Sequence, residues 1–232
     1  KSITVRAEDV KTYLGERKLL PESIDAEDSV GCVNGLAYTE AGGDVLKVEV
    51  AVLDGSGKLE LTGNLGDVMK ESAKAAVTYI RSRADKLGIN PEFYKNKDIH
   101  IHATEAAVPK DGPSAGVTIV TALVSALTGK KIKRDIAMTG EVTLRGRVLK
   151  IGGLREKAMA AYRGGVKTVF MPFENLSDLD EIDTVVKENV SFVPVCNVGE
   201  ILQFAFTQEE TELQENHVFE KYIATQQNRV SQ

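Results

Sequence analysis

Pro109-Lys110-Asp111-Gly112-Pro113-Ser114-Ala115-Gly116 runs directly into Val117-Thr118-Ile119-Val120-Thr121-Ala122-Leu123-Val124, and this join of a glycine turn to an apolar helix decides how the chain is read. Gly112 supplies backbone angles that other residues avoid, and Pro113 suits a first helical turn. Ser114 then falls where free backbone N–H groups and the positive end of the helix point outward, a setting that stabilises a developing oxyanion. Ala115 and Gly116 are small enough for a substrate backbone to come close. Val117, Val120, Val124 and Leu127 share one helical face, and Thr118, Thr121, Ser125 and Thr128 share another. With no charge before Gly129, the spacing predicts a largely buried helix over 114–127.

Gly152-Gly153-Leu154-Arg155-Glu156-Lys157 opens a second helix, expected over 154–163. Its stripe at i, i+3, i+4 and i+7 reads Leu154, Lys157, Ala158 and Ala161, so a lysine stands where the core-facing side should be apolar. Burial there disfavours the ammonium form and lowers the pKa, which lets the amine accept a proton near neutral pH. A serine at a helix start with such a lysine, 43 positions on, is the requirement of a Ser-Lys hydrolase. Each residue also has an ordinary reading: Ser114 as a helix N-cap, Lys157 as a side chain snorkelling to solvent.

These two segments, together with Met138-Thr139-Gly140-Glu141-Val142, closely resemble the proteolytic domain of ATP-dependent Lon proteases of the bacterial and mitochondrial type. The likeness extends upstream through Gly63-Asn64-Leu65-Gly66-Asp67-Val68-Met69-Lys70-Glu71-Ser72 and His100-Ile101-His102. Downstream it takes in Gly164-Gly165-Val166-Lys167 and Pro172-Phe173-Glu174-Asn175, so that residues 29–206 are covered. The resemblance implies Ser114 as nucleophile, Lys157 as general base and Thr139 as the hydroxyl that orients the lysine amine. Asp111, Gly112, Pro113 and Ala115 support them in the nucleophile turn. The segment Ala103-Thr104-Glu105-Ala106-Ala107-Val108 departs from the Pro-Glu-Gly type of loop usual in that family, which touches the edge of the substrate groove and not the dyad.

The resemblance further implies a serine endopeptidase within an ATP-dependent protease that removes misfolded and short-lived regulatory proteins, assembled as a homo-hexamer. ATP and magnesium would belong to an ATPase module of the same full-length chain, of which residues 1–28 are the end and linker. Residues 29–206 would be the proteolytic domain and 207–232 a polar tail. The different reading is a non-catalytic α/β oligomerisation module in which Ser114 and Lys157 are structural.

The composition bounds what else the chain can be. Its 232 residues are 42% hydrophobic and 27% charged with a net charge of −5, an ordinary globular balance that offers nucleic acid no electrostatic match. Cys32 and Cys196 have no metal-like spacing and suggest no disulfide framework. No apolar run reaches membrane length and the start lacks a signal pattern, so a cytoplasmic location is expected rather than the mitochondrial matrix. A chain beginning at Lys1 reads as a fragment or processed product. Gly57-Lys58 is no phosphate loop, because Val52 stands at the first glycine position and Leu59 replaces the Ser/Thr, so no nucleotide or metal cofactor is expected in this domain.

Periodicity predicts a mixed α/β fold with helices packed on a mixed sheet and an N-terminal β-meander over 30–62 that turns at Asp54-Gly55-Ser56-Gly57. Helices are expected over 6–14, 67–87, near 176–182 and over 199–206. Strands are expected over 99–103, 136–139, 168–171 and 191–195, with a hairpin turning at Arg145-Gly146. On the 67–87 helix, Val68, Ser72, Ala76, Tyr79, Ile80 and Leu87 are expected to face inward. His100 and His102 lie on one face of a strand and could ligate a metal with Glu105, though groove shaping or core hydrogen bonding is the ordinary role. Asp111 either binds the turn or salt-bridges Lys157, which would hold the amine charged and the site inactive. Asn175-Leu176-Ser177 is a chance match to a glycosylation sequon.

Overall fold

The computed structural model describes residues 3–15, 24–39, 42–104 and 109–207. The expected linker, Glu105 and the tail from 208 lie outside them. In chain order the helices are α1 (Val10–Leu14), α2 (Asp67–Arg83), α3 (Phe93–Asn96), α4 (Gly116–Thr128), α5 (Leu154–Gly164), α6 (Thr184–Asn189) and α7 (Val198–Ala205). The strands are β1 (Ser29–Val30), β2 (Cys32–Thr39), β3 (Gly42–Asp54), β4 (Leu59–Thr62), β5 (Lys97–Ala103), β6 (Lys131–Ile132), β7 (Ile136–Met138), β8 (Glu141–Val142), β9 (Val148–Leu149), β10 (Thr168–Pro172) and β11 (Ser191–Val195).

Seven strands make one mixed sheet in the order β11-β10-β7-β2-β3-β5-β4. The side-chain period of two divides the sheet between two cores. On one face Val33, Val48, Val50, Ile101, Met138 and Phe170 pack under α2, α4 and α7. On the other Leu36, Val45, Ala137, Val169 and Met171 pack under α5 and α6. Among the described residues the second face is covered over the β2 to β11 side and the first part of β3, where Gly43 and Val45 meet α5. Over β3, β5 and β4 it carries Lys47, Glu49, His100 and His102, each at least partly open to solvent, which is why those strands alternate so clearly in sequence.

Three expectations need correcting. The 30–62 meander is real only for the β2–β3 hairpin, since β5 lies between β3 and β4 and pairs antiparallel with the first and parallel with the second. The turn after β3 steps over Asp98, whose Oδ1 accepts the N–H groups of Ser56 and Lys58 at 2.8 Å each. The 67–87 helix ends at Arg83 and a separate 3-10 turn covers Asp85–Leu87. Its inward stripe is Met69, Ala73, Ala76, Tyr79 and Ile80, while Val68 is exposed. Finally, the 176–182 helix is a 3-10 stretch over Phe173–Glu181, and α6 follows as an additional helix. With Val186 as its only buried residue, α6 has no stripe to read.

Candidate active site

Each candidate residue is held by backbone hydrogen bonds that can be traced to local sequence. Lys110 N–H donates to Asn64 O at 3.0 Å and Gly66 N–H donates to Lys110 O at 2.7 Å, which registers the nucleophile turn on the segment preceding α2. Asp111 then caps α2. Its Oδ1 accepts Met69 N–H at 3.1 Å and Gly112 N–H at 2.9 Å. Gly66 occupies the N-cap position of α2 and has no side chain to do this, so Asp111 supplies the missing acceptor from 42 residues away. A Cβ on Gly66 would stand 2.3 Å from the Asp111 carboxyl carbon. Asp111 is thus bound to the turn and the helix, and the salt bridge to Lys157 is not formed.

Gly112 follows at φ 131° and ψ 156°, a region open essentially to glycine alone. Pro113, Ser114 and Ala115 form a 3-10 turn before α4 begins at Gly116, so the expected helix is delayed by two residues and Ser114 is not its N-cap. The Ser114 carbonyl accepts Gly140 N–H at 2.8 Å, and Gly140 O accepts Val117 N–H at 3.1 Å. α4 is buried all round from Gly116 to Ser125, its threonines included. Thr118 and Thr121 return their hydroxyl hydrogens to backbone carbonyls, which removes the cost of burying them.

Thr139 stands just past β7, its N–H donating to Phe170 O at 3.0 Å. Lys157 occupies the first turn of α5, its N–H donating to Gly153 O at 3.0 Å. Gly43 in β3 allows α5 this close, since a Cβ there would lie 2.0 Å from Glu156 O. Lys157 Nζ donates to Thr139 Oγ1 at 3.0 Å and lies 3.1 Å from Ser114 Oγ. Lys157 is only 2% exposed, and burial pushes its amine down to about 8. Among the described residues no carboxylate is bonded to it. The snorkelling alternative therefore fails, and the amine is poised to exchange a proton with the serine.

Ser114 and Lys157 open into a cleft of about 530 Å³ that Leu36 to Thr39 of β2 also line. β2 pairs with β7 only through Asn34 and Gly35. Beyond Gly35 its edge on that side has no strand partner among the described residues and faces the cleft. Such an edge can hold a peptide in extended form through main-chain hydrogen bonds. Sequence reasoning missed this edge, because it arises from β7 stopping at Met138.

His100 and His102 do not join this site. Their Nε2 and Nδ1 atoms lie 2.8 and 2.7 Å from Thr62 Oγ1 on the solvent-facing part of the sheet. Among the described residues no group of three or more His, Cys, Asp or Glu side chains is placed to hold a metal, and Glu105 lies outside those residues. The Gly57-Lys58 turn does not fit a phosphate, since Asp98 takes its N–H groups. No helix among the described residues is long and apolar enough to cross a membrane.

Residues 4–208 match the C-terminal proteolytic domain of Lon protease. The chain is 58% identical over 202 residues to the Lon protease of Finegoldia magna, covering 87% of this chain and 26% of that protein. It is 54% identical over 205 residues to that of Haemophilus influenzae, with 88% and 26% covered. For Escherichia coli the identity is 52% over 214 residues, with 92% and 27% covered. The chain thus spans about a quarter of the length of these curated relatives.

Proposed function

The chain belongs to the Lon protease family, through its C-terminal proteolytic domain, and from that premise we propose that Ser114 and Lys157 are the nucleophile and general base of peptide hydrolysis. The observation that carries this is the Lys157 Nζ to Ser114 Oγ contact of 3.1 Å made by a buried amine. The neutral amine takes the Ser114 hydroxyl proton as Oγ attacks the scissile carbonyl. N–H groups of the Pro113–Ala115 turn, where helical donors lack acceptors, stabilise the tetrahedral oxyanion. Lys157 returns the proton to the leaving amine, and an ester to Ser114 remains. It then takes a proton from the water that attacks the ester and passes it to Ser114 Oγ as the ester bond breaks, which restores the serine hydroxyl and the neutral amine. Thr139 keeps the amine aimed at Ser114 throughout.

Substrates are polypeptides that enter in extended form along β2. Residues 29–206 are the catalytic unit. In the full-length protein an ATPase module with ATP and magnesium delivers unfolded chains to it, in a cytoplasmic homo-hexamer that removes misfolded and short-lived regulatory proteins. This chain alone would then cut unstructured peptides slowly and hydrolyse no ATP. A purely structural module gives no account of a desolvated lysine held against a serine at the bottom of a cleft. A peptidyl boronate or organophosphate tests the reading: an adduct mapped to Ser114 by mass spectrometry supports it, and intact Ser114 after saturating exposure overturns it.

A further inference from the structure

Asn175 lies in the 3-10 stretch after β10, and its side chain is fully sealed from solvent. Its amide grips a single residue from both sides. Ile151 N–H donates to Asn175 Oδ1 at 3.0 Å, and Nδ2–H donates to Ile151 O at 2.8 Å. The other Nδ2 hydrogen goes to Asp178 Oδ2 at 2.6 Å, and Asp178 Oδ1 pairs with Lys150 Nζ at 3.3 Å. The amide thus replaces the strand partner that the Ile151 backbone lacks, and a buried group with every hydrogen bond made specifies one geometry. The chance sequon at Asn175 is closed by the same burial.

What the clamp fixes lies two residues further on. Gly153 takes a left-handed conformation at φ 68° as the N-cap of α5 and accepts the Lys157 N–H. Gly152 and Gly153 are conformationally free residues, so the direction in which α5 starts is set by whatever anchors Ile151 before them. We propose that Asn175 is a positioning residue, which by clamping both backbone groups of Ile151 fixes the start of α5 and so holds Lys157 Nζ against Ser114 and Thr139. The inference rests on Lys157 acting as the base. Of the other charged groups lining the cleft, Asp44 accepts Val45 N–H, Asp111 caps α2, Lys150 pairs with Asp178, and Lys110 is tied through its backbone to Asn64 and Gly66. Loss of the clamp therefore reaches Lys157 through geometry and hydration.

The test uses the full chain, with Asn175→Ala and the milder Asp178→Ala beside the parent. The rate of Ser114 modification by a peptidyl phosphonate is followed against pH by mass spectrometry, with thermal melting in parallel. The parent rate should rise through an inflection near 8. In Asn175→Ala the inflection should move up toward the ordinary lysine value of 10.5, with about a tenfold loss of rate near neutral pH for each pH unit moved. Asp178→Ala should move it in the same direction and less. An inflection that stays in place in the variants that fold, while melting falls, assigns Asn175 to stability only and overturns the proposal. Should Asn175→Ala fail to fold, an unmoved inflection in Asp178→Ala alone overturns it. A parent with no inflection sinks the base assignment itself, and the clamp's catalytic role with it.

Discussion

Thr139 Oγ1 lies 3.0 Å from Lys157 Nζ, and neither side chain has meaningful contact with solvent. The peptide unit that carries this hydroxyl also holds the nucleophile, because the next N–H, that of Gly140, donates to Ser114 O at 2.8 Å. One short segment after β7 therefore sets both members of the pair. Thr139→Val keeps the shape and removes the oxygen. It should fold, yet modify Ser114 about ten- to a hundredfold more slowly, as expected for losing a hydrogen bond to a charged or nearly charged partner worth about 1.5–3 kcal/mol. Thr139→Ser should keep most of the rate. Equal rates for Val and parent in a phosphonate assay would remove Thr139 from the mechanism.

Burial of Lys157 makes its stability effect opposite in sign to its catalytic one. Its amine titrates at about 8 when folded against an ordinary 10.5, so between those values the unfolded chain holds more protons and stability rises with pH. Below 8 the full cost is present, on the order of 3 kcal/mol at about 1.4 kcal/mol per pH unit. Lys157→Met removes that cost and keeps the volume, while leaving Thr139 without its partner at about 1 kcal/mol. The variant should be inactive and more stable than the parent by about 2 kcal/mol at pH 7. Its advantage should shrink as pH rises from 8 to 10.5. Chemical denaturation across that range checks it, and a constant difference would contradict the titration.

How much of this was legible in the chain follows from which interactions are local. Ser114 and Lys157 could be read because a glycine turn before an apolar helix and a charge on a core stripe are sequence-local signals. The Asp111 cap on α2 was not legible, since it joins residues 42 apart through an N-cap glycine that advertises nothing. The placing of β5 between β3 and β4 was hidden for a similar reason: an Asp-Gly-Ser-Gly turn signals a hairpin, whereas here Asp98 fills it. Lys47 and Glu49 alternate visibly because α5 leaves that part of the sheet uncovered. The burial of α4 was legible in its uncharged run, but the carbonyls that accept its threonine hydroxyls were not: one of them, Met138 O, belongs to a strand 20 residues on.

Asp111→Ala separates capping from ion pairing. As built, the carboxylate serves Met69 and Gly112, so its loss should lower stability by about 1 kcal/mol and slow Ser114 modification by loosening the turn, with the pH inflection unmoved. Were Asp111 a partner of Lys157 in the working state, removing a negative charge would instead shift the inflection downward. A phosphonate rate-against-pH curve read beside a melting curve distinguishes the two.

Lys157→Arg is the sharpest discriminator, because arginine retains the positive charge and most of the stem but does not deprotonate in proteins. If Lys157 were a fixed charge that merely orients Ser114, the arginine variant would keep much of its rate. As a general base it has no substitute, so Lys157→Arg should be about as inactive as Ser114→Ala on a small unstructured peptide, where unfolding of the substrate cannot limit the rate. The planar guanidinium must also fit a site that seals the amine to 2% exposure, so some loss of stability is expected, and melting has to show that the variant folds. Ser114→Ala removes one oxygen at a half-buried position and should melt with the parent. A folded arginine variant that cleaves the peptide at an appreciable fraction of the parent rate would end the dyad, whatever the distance between Nζ and Oγ.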